Sequence, residues 1–339
     1  MKAGFFPGQG SQSVGMGKLF YDEFTVFRQT IEEASDTLGF NFKKLIFEGP
    51  ESDLILTENA QPAILAVSTG CYRVAESEIG VKVDVNLGHS LGEYSALVAC
   101  ESLAFSDAIA WVRERGLAMQ RAVPLGEGTM CAVLGSDDAQ VESWCKEATA
   151  LAKSNRKLGT LSPNDAAWTV ACTVEPANYN SHGQVVVSGS VDAVQALETL
   201  IAEKNLRGVM AKRLNVSAPF HSSLMKPARD QMESIFKSAS AVTTLAIPYI
   251  PNRTAKITRE PGVIYPLLAE QVDHSVLWKQ SVEALIKNGC GRAFEFGPGK
   301  VLQGLAKRIA KATGHEFETC PIYDVETLKT AEGIVNSWH

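Results

Sequence analysis

Val83-Asp84-Val85-Asn86-Leu87-Gly88-His89-Ser90-Leu91-Gly92-Glu93-Tyr94-Ser95-Ala96-Leu97-Val98-Ala99-Cys100 is the stretch on which the fold class turns. Val83–Leu87 reads as a short strand and Glu93–Cys100 as a buried helix, so Gly88-x-Ser90-x-Gly92 occupies the turn between them. A serine on so sharp a turn is held exposed, and the flanking glycines remove side chains that would clash there. The helix that follows directs its N-terminal N–H groups toward the oxyanion formed when Ser90 attacks a carbonyl. The plainer reading is a tight βα turn carrying an ordinary serine. Placement between a strand and a helix favours the nucleophile.

Working outward, Lys2–Phe6 reads as a strand ending at Pro7-Gly8, Ala60–Ala75 as a helix, and Ser106–Ala122 as an amphipathic helix. The texture changes near Pro124-Leu125-Gly126. From there the order is strand Thr129–Leu134, helix Asp137–Thr149, strand Gln184–Ser188, helix Val191–Glu203 and strand Val209–Val216. This β-α-β-α-β order resembles a small ferredoxin-like unit. Ala150–Asn180, rich in Ser, Asn, Asp and Pro, reads as a loop with at most a short helix. The first pattern resumes after Pro219, with helix Ser222–Lys237, a strand near Phe294–Phe296, helix Lys300–Lys311 and a last strand near Thr319–Tyr323. The expectation is an α/β protein with an α/β-hydrolase-like large domain over 1–125 and 217–339 and an inserted ferredoxin-like domain over 126–216.

Composition narrows the function classes. The 339 residues are 45% apolar and 21% charged, with a formal net charge of −6. No basic footprint points to nucleic acid, and no apolar run reaches the roughly 20 residues of a membrane span. Met1–Pro7 lacks a signal-peptide pattern, so a cytoplasmic protein is expected. The seven cysteines are odd in number and form no C-x-x-C pair, which suggests reduced, mostly buried thiols. Neither zinc spacing nor H-E-x-x-H is present, so no metal is expected. Gly8-Gln9-Gly10 follows a strand, but Ser13 stands where a dinucleotide fingerprint needs glycine, and Gly299-Lys300 lacks the rest of a P-loop.

A serine nucleophile needs a base, usually histidine. The chain has six histidines. His89 adjoins Ser90, His315 and His339 lie in polar contexts, and His182 and His274 sit in loop-like stretches. His221, in Ala218-Pro219-Phe220-His221-Ser222, follows a strand and precedes a helix, where α/β active-site residues gather. The residues alone leave that choice open.

Six motifs in order narrow it. Phe6-Pro7-Gly8-Gln9-Gly10-Ser11-Gln12, Gln61-Pro62-Ala63, Gly88-His89-Ser90-Leu91-Gly92-Glu93-Tyr94, Arg115-Gly116, Phe220-His221 and Phe296-Gly297-Pro298-Gly299-Lys300-Val301-Leu302 span nearly the whole chain. Together they resemble the malonyl-CoA:acyl carrier protein transacylase family. The resemblance implies acyl-carrier-protein S-malonyltransferase activity, with Ser90 as nucleophile and His221 as its base. It implies the Gln9 and Leu91 backbone N–H groups as the oxyanion hole, and the Gln271 carbonyl as the group that orients the histidine. Arg115 would hold the malonyl carboxylate, for which a planar two-pronged donor is suited; by its residues alone it reads as a surface helix charge like Arg113 and Arg121. Phe220 would lie beside the α-carbon of the acyl group. The implied partners are malonyl-CoA and acyl carrier protein, with the coenzyme A thioester as substrate rather than cofactor, and the default state is a monomer. Lys300, Lys307, Arg308, Lys311 and the pair Lys212-Arg213 are candidates for a basic patch facing an acidic carrier.

Three stretches depart from the family pattern. Ala150–Cys172 is longer than the usual connection, His182 stands where proline is common, and Asp273-His274-Ser275 replaces an Asn-Pro step. The rival readings are an acyl hydrolase acting on carrier-protein thioesters, a trans-acting polyketide synthase acyltransferase and a non-catalytic docking module. Fatty-acid and polyketide carriers are not distinguished.

Overall fold

The computed structural model describes residues 1–157, 170–216, 218–335 and 337–338. Among them, eight strands form two four-stranded sheets. In chain order these are β1 (Lys2–Phe6), β2 (Val85–Gly88), β3 (Gly128–Leu134), β4 (Val174–Ser181), β5 (Gln184–Ser190), β6 (Met210–Arg213), β7 (Arg292–Phe296) and β8 (Glu318–Ile322). The chain divides into two compact units, one of Met1–Leu117, Ala239–Ile264 and Ser281–His339, the other of Ala118–Ser238 and Tyr265–Gln280.

The first unit carries the sheet β2-β1-β7-β8, parallel throughout. A parallel sheet is covered on both faces and so reads as continuous apolar runs. Phe5, Phe6, Val85, Leu87, Phe294 and Phe296 are accordingly buried. The register sets Phe6 opposite Gly88, so the turns leaving β1 and β2 lie side by side. The helix Thr57–Ile79 is buried along most of its 23 residues. A shorter helix, Gly92–Ala99, follows β2 directly.

The second unit runs β3, helix Asp138–Lys157, β4, β5, helix Val191–Lys204, β6, with sheet order β4-β5-β3-β6 and every pairing antiparallel. That is the ferredoxin-like arrangement. Its core joins Val133, Val185 and Val187 of the strands to Trp144, Val194 and Leu197 of the helices.

Two readings of this unit are corrected. Residues 174–181 are not loop but the edge strand β4. Pro176 and buried Asn178, Asn180 and Ser181 hide the usual apolar alternation, and an edge strand tolerates proline because one side of its ladder need not donate. The expected end of the first helix at Thr149 also moves, to Lys157. Arg156 ties that last turn to the next helix, with Nε and Nη2 on the Asp192 carboxylate at 2.5 and 3.0 Å and Nη1 on the Val170 carbonyl at 2.7 Å. The rest of the long connection, 158–169, lies outside the described residues.

Helices such as Thr25–Leu38, Ile264–Asp273, Trp278–Lys287 and Val325–Val335 complete the fold and have no counterpart in the sequence reading. Among the described residues no helix is long and apolar enough to cross a membrane.

Candidate active site

In the first unit the turn Gly88–Gly92 is built by close backbone contact. A Cβ on Gly88 would lie 1.9 Å from the Gly92 carbonyl, and a Cβ on Gly92 would lie 2.0 Å from the Phe6 carbonyl oxygen. Only glycine fits either position. The chain between them is forced round so tightly that Ser90 takes φ +53°, left-handed backbone rare outside glycine. Such strain, where it persists, clusters at functional sites. Leu91 caps the helix that follows, whose first N–H groups have no partner within the helix. The turn after β1 runs against this elbow: His89 N–H donates to the Phe6 carbonyl at 3.0 Å, and a Cβ on Gly8 would meet the His89 carbonyl oxygen at 2.4 Å. Gln9 follows immediately, its side-chain amide 3.3 Å from the Thr57 hydroxyl.

Arg115 is not a surface charge; it is 1% exposed. A Cβ on Gly116 would lie 2.7 Å from the Glu58 Cα and 2.8 Å from the Thr57 carbonyl oxygen, so the helix Phe105–Arg121 packs backbone to backbone on the start of Thr57–Ile79. That contact carries Arg115 inward. Its Nη1 donates to Gln61 Oε1 at 2.7 Å and its Nη2 to the Ser90 hydroxyl at 3.1 Å, with the guanidinium 5.8 Å from the Tyr94 ring centroid. Burial holds its pKa below the ordinary arginine value, while Tyr94 and the fully buried Glu93 act the other way. A guanidinium starts from above about 12, so the group stays cationic.

In the second unit His221 is 4% exposed and also has left-handed backbone, φ +59°. Its Nδ1 lies 2.8 Å from the carbonyl oxygen of Gln271. A carbonyl can only accept, so Nδ1 carries the proton and Nε2 is left as the basic nitrogen. Gln271 lies in the last turn of Ile264–Asp273, where carbonyls have no intrahelical partner, which explains why its oxygen is available. The residues after His221 are pinned as well. Ser222 Oγ donates to the Pro219 carbonyl at 2.7 Å, and Ser223 N–H to Glu175 Oε2 at 2.9 Å. Phe220, 7% exposed, stands beside the histidine in the chain.

The structure thus brings Ser90, Arg115 and Gln61 together in one unit and His221 and Gln271 in the other. Three residues have no role assigned from sequence, Glu93 being quoted there only as part of its motif. Asn252 accepts the Ser90 N–H, Glu93 accepts the Asn252 N–H, and Glu175 caps the segment after His221. The Asp273-His274-Ser275 departure is absorbed locally. His274 Nδ1 lies 3.0 Å from the Glu270 carbonyl, Ser275 Oγ donates to the Pro176 carbonyl at 2.6 Å, and Val276 pairs with β4. His315 is exposed, and His339 lies outside the described residues.

Residues 5–162 match the model of the acyl transferase domain family. A malonyl CoA-acyl carrier protein transacylase of Bacillus subtilis (strain 168) is 38% identical over 326 residues, which is 96% of this chain and 94% of the relative. An acyl-carrier-protein S-malonyltransferase of Burkholderia pseudomallei superposes with a TM-score of 0.86 at 39% identity, covering 98% of this chain and 100% of the other. A malonyl-transacylase solved with the acyl carrier protein of a type II polyketide synthase superposes equally well, with a TM-score of 0.86 at 36% identity over 98% of this chain and 99% of the other.

Proposed function

Since the chain belongs to the malonyl-CoA:acyl carrier protein transacylase family, we propose that it moves malonyl groups by a ping-pong reaction through Ser90. The observation that carries this reading is the buried Arg115 guanidinium 3.1 Å from the hydroxyl of a serine held on a strained turn. A hydrolase of neutral acyl chains has no use for a buried cation there; a malonyl ester carries a free carboxylate that does.

His221 Nε2 takes the Ser90 proton as Oγ attacks the thioester carbonyl of malonyl-CoA. The Leu91 and Gln9 N–H groups receive the oxyanion. Its collapse breaks the carbon–sulfur bond, and the coenzyme A sulfur leaves with the proton from His221. The phosphopantetheine thiol of acyl carrier protein then gives its proton to His221 and attacks the malonyl-serine carbonyl; the ester C–O bond breaks, His221 returns the proton to Ser90 Oγ, and the carrier leaves as its malonyl thioester. Arg115 holds the malonyl carboxylate through both halves. The Gln271 carbonyl keeps the imidazole in the tautomer this needs. The coenzyme A thioester enters as substrate, no resident cofactor takes part, and the enzyme works as a cytoplasmic monomer. Lys300, Lys307, Arg308 and Lys311, exposed at or along the helix Val301–Ala312, offer the carrier a basic face. Arg213 is instead occupied by Glu198.

Incubation with labelled malonyl-CoA, with and without carrier protein, tests the reading. A malonyl adduct on the enzyme by intact-protein mass spectrometry, absent in Ser90→Ala and discharged onto added carrier, is expected. Release of free malonate with no adduct and no transfer to carrier would mean a hydrolase.

A further inference from the structure

Asn252 is 162 residues from Ser90 in the chain, yet it touches the elbow at three points. Tertiary pairing brings it there. The segment ending at Asn252 runs along β2, with Asn86 N–H donating to the Pro248 carbonyl at 2.9 Å and Ile250 N–H to the Asn86 carbonyl at 3.0 Å. That register delivers Asn252, 1% exposed, to the turn where β2 ends. Its Oδ1 accepts the Ser90 N–H at 2.7 Å and its Nδ2 donates to the Gly88 carbonyl at 2.6 Å. Its own N–H donates to Glu93 Oε2 at 3.0 Å. One carboxamide therefore bridges the two backbone groups on either side of His89.

We propose that Asn252 is the positioning residue of the nucleophile. Its carboxamide holds Ser90 at φ +53°, and by taking up the Ser90 N–H it leaves the next one, that of Leu91, to face the reacting carbonyl. The inference rests on Ser90 being the nucleophile. The partners fix the orientation of the amide, since an N–H requires the oxygen and a carbonyl requires the nitrogen. No smaller or ionised side chain does both. Alanine offers neither bond. An ionised carboxylate offers only acceptors, and it would set negative charge against the Gly88 carbonyl and the Glu93 carboxylate. A protonated carboxyl regains one donor. The charged and titratable groups around the position are Glu93 on the helix Gly92–Ala99, His89 on the elbow itself, Tyr249 and Arg253 on the same segment, and Arg115 over the Tyr94 ring; wild type and Asn252→Asp share all of them.

The experiment measures the single-turnover rate of malonyl-serine formation, with KM for malonyl-CoA, in wild type, Asn252→Ala, Asn252→Asp and Ser90→Ala. Misplacing a reacting group by a fraction of an ångström to one ångström costs up to roughly a hundredfold. Asn252→Ala should therefore acylate about a hundredfold more slowly with KM within about threefold of wild type. The rate of Asn252→Asp, as a ratio to wild type at the same pH so that the shared base cancels, should be lower at about pH 8 than at about pH 6. A purely structural role would lower the melting temperature without moving this kcat-against-KM split or the pH ratio. Acylation within about twofold of wild type in folded Asn252→Ala, or a ratio for Asn252→Asp that is flat with pH, would overturn the proposal. Should Asn252→Ala not fold, the isosteric Asn252→Asp carries the test alone. A malonyl adduct surviving in Ser90→Ala would overturn the nucleophile assignment instead.

Discussion

Arg115 Nη2 donates to the hydroxyl oxygen of Ser90 across 3.1 Å, while Nη1 of the same guanidinium is held at 2.7 Å by Gln61. The contact has two consequences. A cation beside a hydroxyl favours its alkoxide form, which helps the base remove the proton. Under the proposed reaction, it also puts the guanidinium within reach of a carboxylate at the far end of a three-carbon acyl group whose thioester carbon meets Oγ.

On the proposed reading, Arg115→Ala removes the partner of the malonyl carboxylate. Truncating one side of a buried, hydrogen-bonded charge pair costs about 2–5 kcal/mol, so kcat/KM for malonyl-CoA should fall at least about thirtyfold. Acetyl-CoA, whose acyl group carries no free carboxylate, should lose less. The ratio of the two substrates in a competition assay checks this, and an unchanged ratio would remove Arg115 from substrate recognition.

Phe220 is a large buried ring directly before His221. A methyl branch on the acyl α-carbon would press on it, and overpacking costs about 1–3 kcal/mol. Phe220→Ser should raise methylmalonyl transfer relative to malonyl by roughly tenfold to a hundredfold, read from the malonyl- and methylmalonyl-carrier products by mass spectrometry. Equal handling of both thioesters by the wild type would end the selectivity assignment and leave Ser90 and Arg115 untouched.

Glu295, on β7 and 0% exposed, accepts the Leu302 N–H at 3.0 Å and the Gln303 N–H at 2.8 Å at the start of the helix Val301–Ala312. Burial pushes its carboxyl up from 4.5 to about 7, against the pull of these N–H groups. The folded protein thus binds more protons than the unfolded chain between those values. The associated stability is fully present below about 4.5 and is lost as pH rises through about 7, up to about 3 kcal/mol in all. Denaturant unfolding at a series of pH values should show this loss in the wild type and not in Glu295→Gln. That variant should be less stable at every pH below about 6, because its amide nitrogen faces an N–H donor. Parallel curves for the two proteins would show that Glu295 does not titrate in this range.

The strand, the turn and the helix of residues 83–100 were legible because each is set by neighbours in sequence. Chain direction, glycine spacing and a short apolar run dictate them with little outside help. The motif series likewise pointed to Ser90, and through resemblance to His221, Arg115 and Gln271. β4 was missed for the opposite reason. Its polar residues are buried by β5 and by the Val276 segment, and neither contact leaves a periodicity in residues 174–181.

What sequence alone determined was the chemistry available: a serine on an elbow, an arginine and a histidine in a chain with material for two sheets. Tertiary structure decided what those groups face. Arg115 by its own helix is one charge among several, and only the approach of Gly116 to Thr57 and Glu58 turns it into the interior beside Ser90. Asn252 had no local signal at all, since its three bonds run to residues about 160 positions away. The physical reason is the same in both cases. Local hydrogen bonding and sterics act over a few residues and are written in the local sequence. Burial of a charge or an amide is settled by which distant backbone groups packing leaves without a partner.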